Sequence, residues 1–289
     1  MTIAVVGANG FVGSALVSLF RESGVPVKPL DRRNSPDLAT GQAEDWKPVL
    51  DGCEVVVNCA GKAHDLRRPG LAEARDYALV NSLAPKNLAI AARAVGLRRA
   101  IHLSTVKVLG SKTTGKPFVE SDPLNPQGIY AISKAQGELA FLDALNGVGT
   151  EPVVLRIPLV IGTPRKGNLE LLEKLICRGV PLPIGHPGIG RRSYARLEEL
   201  TPFLLTLAQI PTQVPKVLHF RSERDLSVGE LASILGKDLG SSARLFSISP
   251  AALKSIARVF GRAHVVNKFT DEMLVDDAFS RSAVAITRL

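Results

Sequence analysis

The chain opens with a β-branched stretch, Ile3-Ala4-Val5-Val6, that runs directly into Gly7-Ala8-Asn9-Gly10-Phe11-Val12-Gly13 and then into an amphipathic run. Glycines at this spacing permit a tight strand-to-helix turn. They also let the backbone approach a pyrophosphate, whose charge is held by the helix N-terminus and its free N–H groups. A glycine triplet alone also fits an ordinary turn, but its strand-helix context at the start of the chain favours dinucleotide binding. Gly7, Asn9, Gly10, Phe11, Val12 and Gly13 are the first candidate cofactor residues.

The pattern continues through the first half as short β-branched runs alternating with amphipathic stretches. Strands are expected at 2–6, 26–30, 54–59, 99–104 and 152–158, and helices at 11–23, 72–95, 128–145 and 168–178. That order predicts an α/β fold around a doubly wound parallel sheet, whose ligands bind beyond the carboxyl ends of the strands. After about residue 163 the pattern loosens into Gly- and Pro-rich connections and shorter helices. With 289 residues, the chain is read as a dinucleotide domain at 1–163, with a return strand at 216–220, and a small substrate domain at 164–289.

Composition narrows the classes further. Three cysteines, at 53, 59 and 177, with no C-x-x-C pair, provide neither a disulfide framework nor a zinc site, so no metal is expected. The N-terminus has no basic leader, and no stretch reaches the ~20 apolar residues of a membrane span. A cytoplasmic protein without membrane partners is expected. The 36 Lys plus Arg against 27 Asp plus Glu leave a charge of +9. The basic residues fall in scattered doublets without a nucleic-acid-binding signature, which fits a small polyanionic ligand better than a nucleic acid.

Asp31 follows the second strand, 18 residues beyond Gly13, where a carboxylate grips the adenosine ribose hydroxyls. It favours NAD; the adjoining Arg32-Arg33 suits a 2′-phosphate and keeps NADP open. Tyr130 and Lys134 stand at i, i+4 on one face of a predicted helix. A lysine beside a phenol is expected to lower its pKa and let it exchange protons near neutrality. Ser104-Thr105 closes the fourth strand, where a hydroxyl reaches a substrate oxygen. His102, inside that strand, is expected to be structural.

Taken together, these residues resemble the extended short-chain dehydrogenase/reductase family of NAD-dependent sugar-nucleotide epimerases, reductases and dehydratases. The resemblance implies a Rossmann-type sheet with a small C-terminal substrate-binding domain. It implies Thr105, Tyr130 and Lys134 as catalytic residues, with Leu103, Tyr130 and Lys134 also on the cofactor. Cys59, Ala60 and Gly61 match the strand that covers the cofactor, Asn81 the structural asparagine, and Ile157 and Pro158 the strand end on the nicotinamide side. Gly167-Asn168-Leu169 resembles the segment that holds the nucleotide diphosphate, and Arg192 falls where a diphosphate-binding arginine is placed; Ser104 and Thr105 complete the substrate set.

Departures from the family pattern narrow the reaction. The acidic pair that follows the catalytic threonine in 4,6-dehydratases is here Val106-Lys107, which disfavours dehydration. Ser193 follows Arg192 in place of the usual acid, and no adenine carboxylate is assigned. The Ser104-Thr105-Val106-Lys107-Val108 run is most similar to the bacterial polysaccharide-pathway branch. That similarity implies a UDP-hexose 4-epimerase or 4-keto reductase using NAD or NADP, and a homodimer. The rival reading is a non-catalytic NAD(P)-binding regulatory or assembly protein on the same fold.

Overall fold

A computed structural model describes residues 1–63, 71–163, 168–186, 189–259 and 270–286. In chain order the first half gives β1 (Ile3–Val6), α1 (Phe11–Glu22), β2 (Val27–Leu30), α2 (Ala43–Leu50) and β3 (Val55–Asn58). Then come α3 (Leu71–Ala78), a π-helical turn (Leu79–Leu83), α4 (Ala84–Ala94), β4 (Arg99–Thr105), α5 (Gly128–Ala144) and β5 (Glu151–Ile157). The second half gives β6 (Leu159–Ile161), α6 (Asn168–Cys177), β7 (Arg191–Arg192), β8 (Tyr194–Arg196), α7 (Leu197–Gln209) and β9 (Val217–His219). It closes with β10 (Leu226–Ser227), α8 (Val228–Asp238), α9 (Pro250–Val259) and α10 (Ala278–Ile286).

Six strands form one sheet in the order β2-β1-β3-β4-β5-β9, and every neighbouring pair is parallel. Helices must therefore cover both faces, which is why β1 and β3 read as nearly unbroken apolar runs. On one face Leu16 and Phe20 of α1 and Leu200, Leu204 and Leu207 of α7 pack on Ile3, Val5, Val57 and Ile101. On the other, Trp46, Leu88 and Phe141 from α2, α4 and α5 pack on Ala4, Val6, Val56 and Val154. Each such fully buried side chain contributes about 1.5–3 kcal/mol.

Residues 164–289 serve two places. Their β9 extends the sheet as the expected return strand, and their α7 closes one sheet face. Leu169, Ile176, Tyr194, Leu226, Leu231 and Leu235 form a separate small core of α6, β8, β10 and α8. Arg99, fully buried at the start of β4, ties these parts together: its guanidinium donates to the carbonyls of Leu207, Ile210 and Thr212 and pairs with Glu151.

Two elements depart from the expectation. The stretch 72–95, expected as one helix, is interrupted by the π-helical turn before α4, where Pro85 lacks the N–H that would carry the regular ladder. The eight-residue α2 is not among the expected helices, because Pro48 inside it conceals the period. A box between Gln42 and Asp45 holds its first turn, with the Gln42 backbone N–H donating to Asp45 Oδ2 at 2.8 Å.

Candidate active site

The turn after β1 is fixed by crowding. Gly7 adopts φ 78°, and a Cβ on Gly13 would lie 2.2 Å from the Gly7 carbonyl oxygen, so α1 can pack this closely on the turn only through glycine. Gly10 caps α1 without a side chain, and the first turn carries no acidic residue, which leaves its positive end suited to an anion. Phe11 and Val12 begin the helix behind this cradle, and Asn9 is exposed beside it.

At the end of β2, Asp31 Oδ2 accepts hydrogen bonds from Asn9 Nδ2 (2.8 Å) and from Arg33 Nη2 (2.7 Å), and Oδ1 accepts from the Arg33 backbone N–H (2.8 Å). The Arg33 hydrogen bonds hold its carboxyl down to about 2. Arg33, rather than Arg32, is thus the guanidinium at this carboxylate; exposed Arg32 instead lies near Asp37.

The carboxyl ends of β3 and β4 and the face of α5 bring the central residues together. Thr105 hydrogen-bonds Tyr130, and its Oγ1 also accepts from the Lys107 backbone N–H at 3.3 Å. The Tyr130 ring meets Tyr77 edge-on with centroids 6.3 Å apart, and Lys107 Nζ lies 5.9 Å from its centroid. Lys134 is buried; its Nζ donates to the Leu103 carbonyl at 2.6 Å and lies 3.2 Å from His102 Nε2.

The expected lowering of the Tyr130 pKa by Lys134 is not realised in this geometry. Burial, which disfavours the phenolate, pushes Tyr130 up to about 12, with the Thr105 hydrogen bond only partly opposing it. Burial moves Lys134 the other way, down to about 8. The Lys134 Nζ is held back on the strand by the Leu103 carbonyl.

Around these residues Asn81 acts as a clamp. Its Oδ1 accepts from the Lys62 N–H (2.8 Å), while Nδ2 donates to the Lys62 carbonyl (3.0 Å) and to Ser133 Oγ (3.0 Å); Ser133 in turn donates to the Tyr130 carbonyl (2.8 Å). A Cβ on Gly137 would stand 2.0 Å from the Asn81 carbonyl oxygen, so glycine is required where α5 crosses the π-helical turn. Asn81 thereby links the segment after β3 to the helix that carries Tyr130 and Lys134. Cys59, Ala60 and Gly61 follow β3 beside it; burial pushes the Cys59 thiol up to about 12. Ile157 and Pro158 are buried at the end of β5. Sequence reading did not single out Ser133 and Gly137, because their roles come from contacts across elements.

Two buried polar atoms bear on the site and have no hydrogen-bond partner: Ser104 Oγ, next to Thr105 on β4, and Arg192 Nε on β7. Burial lowers the Arg192 pKa. Ser193 stands where the family pattern has an acid, and its Oγ donates to Asp225 Oδ1 at 2.6 Å and accepts from the Val275 N–H at 2.9 Å. The segment so held forms a bridge from Met273 to Arg192 and packs Met273 and Val275 on Val106, next to Thr105. Leu169 is buried in α6, which Asn168 opens; Gly167 lies outside the described residues.

The sequence profile of the NAD dependent epimerase/dehydratase family matches residues 3–219. Among curated proteins, a UDP-glucose 4-epimerase of Vibrio cholerae is 28% identical, across 98% of this chain and 89% of its own length. A dTDP-4-dehydrorhamnose reductase of Mycobacterium tuberculosis is 31% identical, across 76% of this chain and 70% of its own. Among solved structures, MoeE5 in complex with UDP-glucuronic acid and NAD superposes with a TM-score of 0.76 at 22% identity, covering 99% of this chain and 93% of that one. The chain belongs to the NAD dependent epimerase/dehydratase family.

Proposed function

From that membership, we propose that the protein is an NAD(P)-dependent nucleotide-sugar oxidoreductase acting at C4 of a hexose, as a UDP-sugar 4-epimerase or 4-keto reductase. The observation that carries this reading is the hydrogen-bonded Thr105–Tyr130 pair at the carboxyl end of β4, beside the partnerless Ser104 Oγ and facing the half that holds Arg192. The Gly7–Gly13 cradle, the uncapped start of α1 and Asp31 fit a dinucleotide, with NAD as the reading and NADP open through Arg33. When bound, that cofactor gives or takes a hydride at C4.

The remaining chemistry belongs to this chain. Tyr130 moves the proton on the C4 oxygen, and its high pKa in the ligand-free state keeps that proton on the phenol until a substrate oxygen replaces protein as its neighbour. Thr105 and Ser104 hydrogen-bond the same oxygen. Lys134 hydrogen-bonds the nicotinamide ribose. Arg192, with the segment around Asn168 and Leu169, takes the diphosphate, whose oxygens supply the acceptor that its buried Nε lacks.

Residues 1–163 with β9 form the cofactor half and 164–289 carry the substrate half, with α7 given to the sheet. The three cysteines are free thiols, in keeping with a cytoplasmic setting. Among the described residues no helix is long and apolar enough to cross a membrane. Exposed Leu71, Leu83, Ile132 and Leu139 lie on the outer faces of α3 to α5, the surface proposed to pair two copies.

The test is incubation with UDP-hexoses and a 4-keto UDP-sugar, with and without added NADH or NADPH. Conversion without added cofactor indicates epimerisation, and stoichiometric cofactor consumption indicates keto reduction. Absence of both across UDP- and dTDP-sugars would overturn the reading.

A further inference from the structure

Beneath the Tyr130 site lies a buried chain of three polar side chains, Asn58, His102 and Lys134. Asn58 and His102 face each other because β3 and β4 pair in register at these two residues. All three are almost entirely removed from solvent, and the His102 ring packs on Phe141 with centroids 5.4 Å apart. Asn58 Nδ2 lies 3.1 Å from His102 Nδ1, and His102 Nε2 lies 3.2 Å from Lys134 Nζ.

The proton count along this chain is fixed from one end. Asn58 Oδ1 accepts the Ala60 backbone N–H at 3.0 Å, so the amide cannot be reversed and Nδ2 must point its hydrogens at His102. His102 Nδ1 is then an acceptor and carries no proton. A neutral imidazole with a bare Nδ1 is protonated at Nε2, and that N–H is directed at Lys134. An ammonium there would set two donors against each other at 3.2 Å, whereas a neutral amine accepts from Nε2–H and still donates to the Leu103 carbonyl. Moving the imidazole proton to Nδ1 only transfers the conflict to Asn58.

We infer that Asn58 and His102 are positioning residues that hold Lys134 as a neutral amine in the ligand-free protein, with Asn58 selecting the Nε2–H tautomer of His102. The surrounding charges leave room for this. On α5, Glu138 is taken up by Arg156 of β5, whose Nη2 donates to it at 2.8 Å and whose Nε reaches both oxygens. Cys59 beside β3 and the phenol of Tyr130 are neutral, because burial pushes both up to about 12. Lys107 and Lys62 lie over the Tyr130 and Tyr77 rings and add only positive charge. Burial, opposed by Glu138 and Cys59, brings Lys134 down to about 8, and burial drives His102 well below its ordinary value, so an imidazolium is disfavoured. At that point the donor count decides the state of the amine.

The role of Lys134 toward a nicotinamide ribose rests on the function proposed above, but its protonation state does not. The test is therefore spectroscopic, on the full chain without ligand. In 15N-histidine-labelled protein at pH 7.5, His102 is expected as the Nε2–H tautomer; an Nδ1–H tautomer or an imidazolium would overturn the inference, and this measurement needs no variant. In 13C-lysine-labelled protein, Asn58→Asp supplies an acceptor to Nδ1, reverses the tautomer and raises the Lys134 titration by about one pH unit or more. An unchanged titration in a folded Asn58→Asp protein would also overturn it. Absence of sugar-nucleotide turnover would leave both readouts in place and count only against the proposed function.

Discussion

The two halves of the site are built in opposite ways. The cofactor half stands on the carboxyl ends of the central sheet, and apart from Ser104 Oγ the polar side chains named in it are already paired: Asp31 with Asn9 and Arg33, Asn81 with Lys62 and Ser133, Lys134 with Leu103. The substrate half is assembled from two-residue strands, β7 on β10, and a bridge to Met273, and it keeps Arg192 Nε without a partner. Pairing beforehand gives a rigid frame for a ligand that every member of a family shares. A buried, partnerless donor is costly, about 1–3 kcal/mol, and is relieved only when a ligand arrives. Under the proposed function, the difference gives stability and chemistry to the first half and discrimination between substrates to the second.

The largest effect that would break this comparison lies at Tyr130. Tyr130→Phe is expected to lower turnover by ~10²–10⁴-fold with cofactor affinity nearly unchanged, since a positioned proton donor contributes that much; steady-state kinetics with fluorescence titration checks it, and retained turnover would remove Tyr130 from the chemistry. Next comes Arg192→Ala. It is expected to raise the KM for the nucleotide sugar about 10- to 100-fold, the worth of a hydrogen bond to a charged group, while cofactor affinity stays the same. A matching loss of cofactor affinity would mean that the two halves are not separable.

Lys134→Met sharpens the comparison through stability. Holding Lys134 at about 8 against its ordinary 10.5 costs the fold about 3 kcal/mol. Between these two values the unfolded chain binds more protons than the folded one, so wild-type stability rises with pH there. The variant, inactive, is expected to be more stable by ~1–3 kcal/mol below pH 8 after loss of the Leu103 hydrogen bond, and its advantage should vanish above 10.5. Urea titrations at pH 7 and 10.5 test both the sign and the window.

The smallest expected effect is at exposed Arg33. Arg33→Ala should weaken NADPH relative to NADH by only a few-fold, as befits a solvent-screened ion pair. Competition binding of the two cofactors reads this ratio, and an unchanged ratio would exclude Arg33 from cofactor choice.

How much of this was legible in the sequence follows the same division. The β-α order and the sites at Gly7, Asp31, Thr105, Tyr130 and Lys134 depend on local period and on spacing within one turn or helix, which sequence carries directly. His102 alternates with apolar neighbours and reads as a core residue; its connection to Lys134 depends on the register of β3 on β4, which no single strand encodes. Gly137 looks like a helix weakness until Asn81 is seen against it. The tail of the chain was opaque for a related reason: Met273 and Val275 act through a bridge to a strand some 80 residues earlier, joined by two-residue elements too short to leave a periodic signal.

That last contact also sets an order of events in synthesis. Met273 and Val275 emerge after every strand of the central sheet has been made, yet they complete the wall beside Val106 and Arg192. A nascent chain can thus close the Gly7–Gly13 turn, the proposed dinucleotide cradle, while the wall proposed to face the sugar is still unmade. Changes in this late segment can retune what the protein accepts without disturbing the earlier-folding frame.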